Sequence, residues 1–411
     1  MGNIMTCKIN ADTSDGLKIV SDTSGAVDIQ SNGATKVTID ANGNVNTVGQ
    51  VSTTDNGTIV TRQTAKPIII NGDMQVAQRG TSVTGISSSR FTTCDRMGIL
   101  VNNMGTWTVI QSDDAPTGSG FQHSWRMDCT TADASPGSTD FCGMRTMFEG
   151  QDLQMFKKGT SSAEKMTLSF WVKSNKTGTY IMEIDDNDNG RNINQAYTIN
   201  SADTWEKKVL SFDADTTGAF GNDNGRSLVL IWWNGAGATY NSGTLQTSWA
   251  STTNANRVVG CVNLADSTDN DWSITGIQLE VGEFDSTTIP SFQHESFGDN
   301  LARCQRYCQR WNGDAAYNTG MVGVYNDTTT IICIHTHIVP MRTAATFSIS
   351  AASDFDLEPF DAAPSQVSVF GTGNEYQQAI DATDTSARTK GFGGVISVDQ
   401  TDGFFDFDAE L

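Results

Sequence analysis

Apolar residues recur at every second position along much of this chain, the period of a strand with one buried face. The clearest case is Met166 to Lys173. There Met166, Leu168, Phe170 and Val172 face one way, and Thr167, Ser169, Trp171 and Lys173 the other. Thr179 to Ile184, Trp205 to Phe212 and Ser227 to Trp233 read similarly. Leu228 to Trp233 is apolar on both parities, which predicts a central strand covered on both faces. Many such strands between Ile68 and Val281, with turns between them, predict a two-sheet sandwich of jelly-roll-like type. Gln151 to Lys157 reads as one short helix.

From Trp272 to Val281 the alternation changes parity at Gly276, which marks a bulge or a close backbone approach. Further on, Leu301, Cys304, Cys308 and Trp311 repeat at spacings of three and four. That is one apolar stripe of a helix, and Asn312-Gly313 stops it. After it, Met321 to Tyr325, Thr329 to Ile338, Ala345 to Ser350, Gln366 to Phe370, Gly393 to Val398 and Phe404 to Phe407 read as strands. The terminal GFFDFDAEL suits a strand packed at the tip of an assembly.

The first 66 residues carry a weak repeat. Leu17/Ile19, Val27/Ile29 and Val37/Ile39 are alternating apolar pairs, and Gly16, Gly25, Gly33 and Gly43 punctuate them. Ser24-Gly25, Asn32-Gly33 and Asn42-Gly43 are hairpin signals. Two apolar side chains per strand contribute about 1.5–3 kcal/mol each when buried. Ordering each residue costs about 1–2 kcal/mol. One copy is therefore not expected to fold alone, whereas three copies around an axis would bury every edge. The other reading is a flexible tail. Residues 46–66 look like a linker.

The expected organisation is all-β: residues 1–66 an attachment and oligomerisation segment, 67–295 the sandwich, 296–313 a linking helix and 314–411 a small C-terminal β domain. Oligomer contacts are expected at the three N-terminal pairs and at Leu301, Cys304, Cys308 and Trp311.

Composition narrows the function. A formal charge of −21 argues against nucleic acid and anionic membrane surfaces as partners. No apolar run approaches the ~20 residues of a membrane span. Met1 to Thr6 matches an N-myristoylation pattern, read here as an incidental match. The 8 Cys are scattered without zinc or disulfide spacing, which suits free thiols made in a reducing cytoplasm.

Several segments carry a resemblance. QLEVG, the Phe-Gln-His-Glu loop, Ser-Phe-Gly-Asp and LARCQRYCQRW resemble a stretch that recurs in bacteriophage tail-fibre and receptor-binding proteins. So do NGDMQVAQRGTS, Asp95-Arg96, TLSFWVKS, AYTINSADTWEKK, VNLADST and the closing Asp408-Ala409-Glu410-Leu411. The resemblance implies a homotrimeric virion fibre with sandwich modules similar to carbohydrate-binding modules. It implies assembly in the bacterial host cytoplasm and attachment of the N-terminus to other tail or capsid proteins. Met74 and Ala77 stand where such proteins often carry aromatic residues, which argues against a ligand role for that loop.

A sugar site joins an aromatic platform to Asp, Asn or Gln side chains. Trp107, Tyr240 and Trp249 are the glycan-binding candidates, with Trp171 and Trp233 more readily explained as core. Asp185, Asp186 and Asp188, beside Asn187 and Asn189, offer the oxygens that Ca²⁺ wants. Otherwise they form a solvated turn. No other cofactor is implied. Cys304 and Cys308 with His335 and His337 are a weaker zinc alternative, and His123 and His294 read as ordinary histidines. No GxSxG elbow, P-loop or HExxH helix occurs, and no carboxylate pair stands out. The expectation is a non-enzymatic virion appendage that attaches to a host-surface polysaccharide. An architectural fibre without a ligand and a polysaccharide-degrading spike are the alternatives.

Overall fold

The computed structural model describes residues 27–31, 33–41, 45–47, 51–53, 57–59, 66–312 and 320–411. The chain divides into two compact units, Met1–Arg62 and Gln63–Leu411.

In the first unit, Val27–Ser31, Ala34–Ile39 and Val45–Thr47 form an antiparallel three-stranded sheet. Val27 stands opposite Ile39, Ile29 opposite Val37, and Ile39 opposite Val45. These five apolar side chains therefore share one face, as the alternation requires. The face is open: Ile29 is 52% exposed and Val45 64%. Leu17 and Ile19 lie outside the described residues. The stretch expected as a linker instead contains the hairpin Val51–Thr53 and Gly57–Ile59.

The second unit begins with the sandwich. One layer orders Glu206–Phe212, Met166–Ser174, Asp271–Val281 and Ser124–Thr131. The other orders Phe141–Glu149, Arg226–Ala236, Gly178–Asp186, Arg191–Ile199 and Ala250–Ser251. The long strand Gly98–Ser112 belongs to both. Its first half pairs with Phe141–Glu149 and its second half with Ser124–Thr131. The crease falls near Asn103 and Gly105, both at positive φ (51° and 74°). A Cβ on Gly105 would lie 2.7 Å from the Thr131 carbonyl oxygen, so only glycine fits the fold-over. The layers close over Trp107, Trp125, Trp232 and Trp272, all fully buried. Phe170 points its edge at Tyr197 and Trp232, with ring centres 5.2 and 5.8 Å apart. Arg226–Ala236 is the central strand expected, buried from Ser227 to Ala236.

Gly276 is the bulge that the change of parity signals. Its φ is +61°, and the pairing with Met166–Ser174 slips opposite it. A Cβ there would meet Phe121 at 2.6 Å and Trp171 at 3.1 Å.

Two helix expectations are corrected. Gln151 to Lys157 forms two 3₁₀ turns, Gly150–Asp152 and Gln154–Phe156, and the second ends at Lys157 in a left-handed conformation. The helix expected through Trp311 runs only from Phe297 to Gln305, capped by the Ser296 hydroxyl accepting from the Asp299 N–H. Cys308–Asn312 is a strand paired with Phe404–Asp408. The ladder gives residues 308–312 backbone partners and buries Cys308 and Gln309, which the helical stripe had placed on different faces.

The C-terminal part pairs a six-stranded sheet, ordered Phe355–Glu358, Gly393–Val398, Gly320–Tyr325, Thr330–Thr336, Gln377–Thr383 and Gln366–Val369, with a three-stranded one. Phe355, Phe405 and Phe407 are fully buried between them. The closing strand therefore packs inside its own chain. Cys304 and Cys308, expected at an oligomer contact, are likewise buried within the chain, and Trp311 packs against this second core. Leu301 is half-buried.

Charged groups join this part to the sandwich. Arg79 reaches Asp408 (2.9 Å) and Glu410 (3.5 Å), and Arg96 pairs with Glu410. Arg96 also lies over the Tyr307 ring at 3.5 Å. Arg342 donates to the carbonyls of Asn224, Ala409 and Glu410. Arg96 is 2% exposed and Glu410 5%, so removing Arg96 leaves the buried carboxylate with only the longer contact from Arg79. Arg96→Ala is expected to destabilise the protein by about 3–5 kcal/mol. An unchanged denaturation midpoint would contradict this reading of the seam.

His335 and His337 sit in the second core, 2% and 6% exposed. His335 stacks on Phe407 at 4.1 Å and meets Trp311 edge-on at 4.6 Å. Burial, with His337 beside it, lowers the His335 pKa to about 4; burial lowers that of His337 too. Both rings thus fold in the neutral form. Their contribution is complete above the unfolded value of about 6.5 and is lost as pH falls toward the folded values. The fall in melting temperature between pH 7 and pH 4.5 should shrink in His335→Gln. An equal fall in both proteins would show that the imidazole does not carry it.

Candidate ligand-binding site

A groove of about 520 Å³ opens where the chain enters the sandwich. Pro67, Ile68, Ile70 and Met155 give it apolar walls, and Lys66, Gln151, Asp152, Arg303 and Arg306 a polar rim. Three segments meet here, and each is tied down. Arg303 donates to the Pro67 carbonyl oxygen (2.8 Å) and pairs with Glu295. Arg306 grips the buried Glu149 through two bonds of 2.6 Å, and the Tyr307 hydroxyl donates to the same carboxylate. Burial pushes the Glu149 pKa up, but the bonds from Arg306 and Tyr307 outweigh it and leave the pKa below its ordinary value. Gln151 also donates to Glu149 (2.6 Å). Burial, with Glu149 beside it, raises the pKa of Asp152. The basic groups gathered here contrast with a chain whose net charge is −21.

The aromatic candidates separate. Trp107 is fully buried, and its indole N–H donates to the Met104 carbonyl, so it cannot stack on a ligand. Trp249 is half-buried; it lies over the buried Lys158 at 5.0 Å and donates to the Asp213 carbonyl. Tyr240 lies on the outer side of the other layer. It stacks on Trp233 (6.1 Å), and Phe141 meets it edge-on (5.6 Å). Beneath this platform Glu183, fully buried, accepts from the Trp233 indole and from Arg257. Burial raises the Glu183 pKa, partly offset by Arg257. Trp171 is half-buried against Phe121 and Gly276, on the face of the first layer.

The acidic turn does not form a calcium cradle. Asp186 is buried and held by Lys158 (2.5 Å) and by Asn189. Asp185 faces Arg257 at 3.7 Å, and Asp188 accepts from the Gly221 N–H. The three carboxylates turn to three different partners. Among the described residues no three His, Cys, Asp or Glu side chains converge as a metal site. Cys304, Cys308, His335 and His337 are core side chains. His123 meets Asp113 (3.1 Å), and His294 packs on Phe121 and Phe292.

The groove was not legible from the sequence. Its walls come from positions far apart in the chain.

No protein-family model matches the sequence, and no curated protein does. Solved structures overlap it in part. The enzymatically active domain of tailspike protein 4 of bacteriophage CBA120 is 14% identical over 52% of this chain, with a TM-score of 0.27. This chain spans about a fifth of that protein, 21%. A putative sugar binding protein from Bacteroides thetaiotaomicron is 12% identical over 53% of this chain and all of its own, with a TM-score of 0.28. A family 16 carbohydrate-binding module is 12% identical over 42% of this chain and 84% of its own, with a TM-score of 0.21.

With Lys158 already neutralising Asp186, millimolar Ca²⁺ or a chelator should leave the melting temperature unchanged. A rise with added calcium, as a ligand of the folded state produces, would restore the calcium reading.

Proposed function

We propose that this protein is a component of a bacteriophage virion appendage and binds a host-surface glycan in the groove beside Pro67. The observation that carries the ligand reading is the groove itself: 520 Å³, with apolar walls and a rim of Lys66, Gln151, Asp152, Arg303 and Arg306. Apolar walls suit the C–H faces of sugar rings, and the rim suits their hydroxyls. The tail-fibre-like segments support the virion setting. The open apolar face of Val27, Ile29, Val37, Ile39 and Val45 supports a homotrimer joined through the N-terminal unit, with other virion proteins beyond it.

Binding would be weak at each groove and strengthened by valency, because linked sites raise one another's effective concentration. Hydrolysis forms no part of the proposal. A second reading places the sugar on Tyr240, favoured by its rigid backing of Trp233 and Phe141.

Binding of purified host polysaccharide to the full chain separates these readings. Gln151→Ala with Asp152→Ala should weaken binding at least tenfold, about 1.4 kcal/mol, while Tyr240→Ala has little effect. The reverse pattern would move the site to the aromatic platform. Release of reducing ends would replace binding with cleavage.

A further inference from the structure

The C-terminal six-stranded sheet buries one face and leaves the middle of the other exposed. The register sets Val395, Val322, Ile334 and Ala379 side by side across four strands. Phe370 extends the row through its N–H bond to the Ala379 carbonyl, and Val324 and Ile332 form a second row beside it. Val322 is 76% exposed, Ile334 64% and Val324 51%. Among the described residues from 66 onward, every exposed large apolar side chain except Phe297 lies in this C-terminal part. The sandwich hides such groups, so their concentration on one sheet is a local feature.

The chemistry of the face selects its occupant. Gly320–Tyr325, Thr330–Thr336, Gln377–Thr383 and Gly393–Val398 bring no Lys or Arg to it. They bring one carboxylate, Asp381, which accepts from the Ser368 hydroxyl (2.7 Å). A sugar needs converging polar groups, and a charged partner needs charge; this stripe supplies neither. A like face from another copy matches it. Copies that each carry −21 repel wherever their charged surfaces meet, so a face whose strands carry a single carboxylate, Asp381, is where they approach at least cost.

We propose that a second copy of this chain covers this face, in contact with Val322, Val324 and Ile334. The proposal deepens the homotrimer of the reading above and rests on it for the number of copies. The exposed parts of these side chains amount to roughly 300 Å², the size of the largest apolar patch on an ordinary monomer, a patch that is often functional. That is less than half the ~800 Å² per partner of a standard interface. The contact is therefore weak between free copies. It becomes effective when the sheet of residues 27–47 holds the copies together and raises their local concentration.

Sedimentation of the full chain across a wide concentration range tests this, with four proteins. These are the wild type, Ile29→Glu/Ile39→Glu to disable the N-terminal face, Val322→Glu/Ile334→Glu, and all four substitutions combined. The wild type should be oligomeric. The N-terminal variant should keep a weak, concentration-dependent association. Adding Val322→Glu/Ile334→Glu should raise its dissociation constant at least tenfold, and Val322→Thr/Ile334→Thr should have a smaller effect. Amides of Val322, Val324 and Ile334 should exchange more slowly as concentration rises. Association unaltered by Val322→Glu/Ile334→Glu in both backgrounds would overturn the proposal. So would a wild type that stays monomeric throughout, which would leave the face to a different protein. Glycan binding by the groove is read separately, so its failure with association intact would leave this contact standing.

Discussion

The buried ionic seam around Glu410 is the constraint on which the rest of the second unit depends. Arg79 and Arg96 converge on it from the sandwich, and Arg342 holds the neighbouring carbonyls. Buried pairs add little net stability over a well-packed apolar contact, because desolvation offsets much of the attraction. They do penalise every arrangement that leaves one charge unpaired. The seam therefore fixes where the chain's end lies, and with it how the C-terminal sheets sit on the sandwich.

The groove follows from the same constraint. Its walls come from the entering segment, the 3₁₀ turns and the helix with the residues just after it. Glu149 ties the turns to Arg306 and Tyr307, and Tyr307 in turn lies under Arg96. One network of charges thus shapes the pocket and docks the C-terminal part. A protein so acidic overall concentrates Arg79, Arg96, Arg303, Arg306 and Arg342 here, where each neutralises a buried acid or satisfies a carbonyl. Association is organised differently. The apolar faces of the N-terminal sheet and of the C-terminal sheet carry few charges, so the two kinds of surface do not compete.

The fold was largely legible because strand alternation is local. Met166–Ser174, Arg226–Ala236 and the N-terminal hairpin follow directly from the period of two, and Gly276 announces its bulge. Cys308 to Trp311 shows where the reading fails. Spacings of three and four fit a helix, and the pairing with Phe404–Asp408, almost 100 residues away, overrides them. The site was much less legible. Whether Trp107 or Tyr240 meets solvent depends on which layer covers it, and alternation cannot say. Asp186 reads as a metal ligand until Lys158, distant in sequence, turns up beside it. Side chains whose partners lie across the fold carry no local mark.

Native-state hydrogen exchange in rising denaturant tests the central claim, that the sandwich and the C-terminal sheets form one cooperative body. The account predicts that amides of Phe170 and Trp232 lose protection at the same denaturant concentration as those of Ile331 and Ile396. Loss of protection in the C-terminal strands well before the sandwich opens would contradict it.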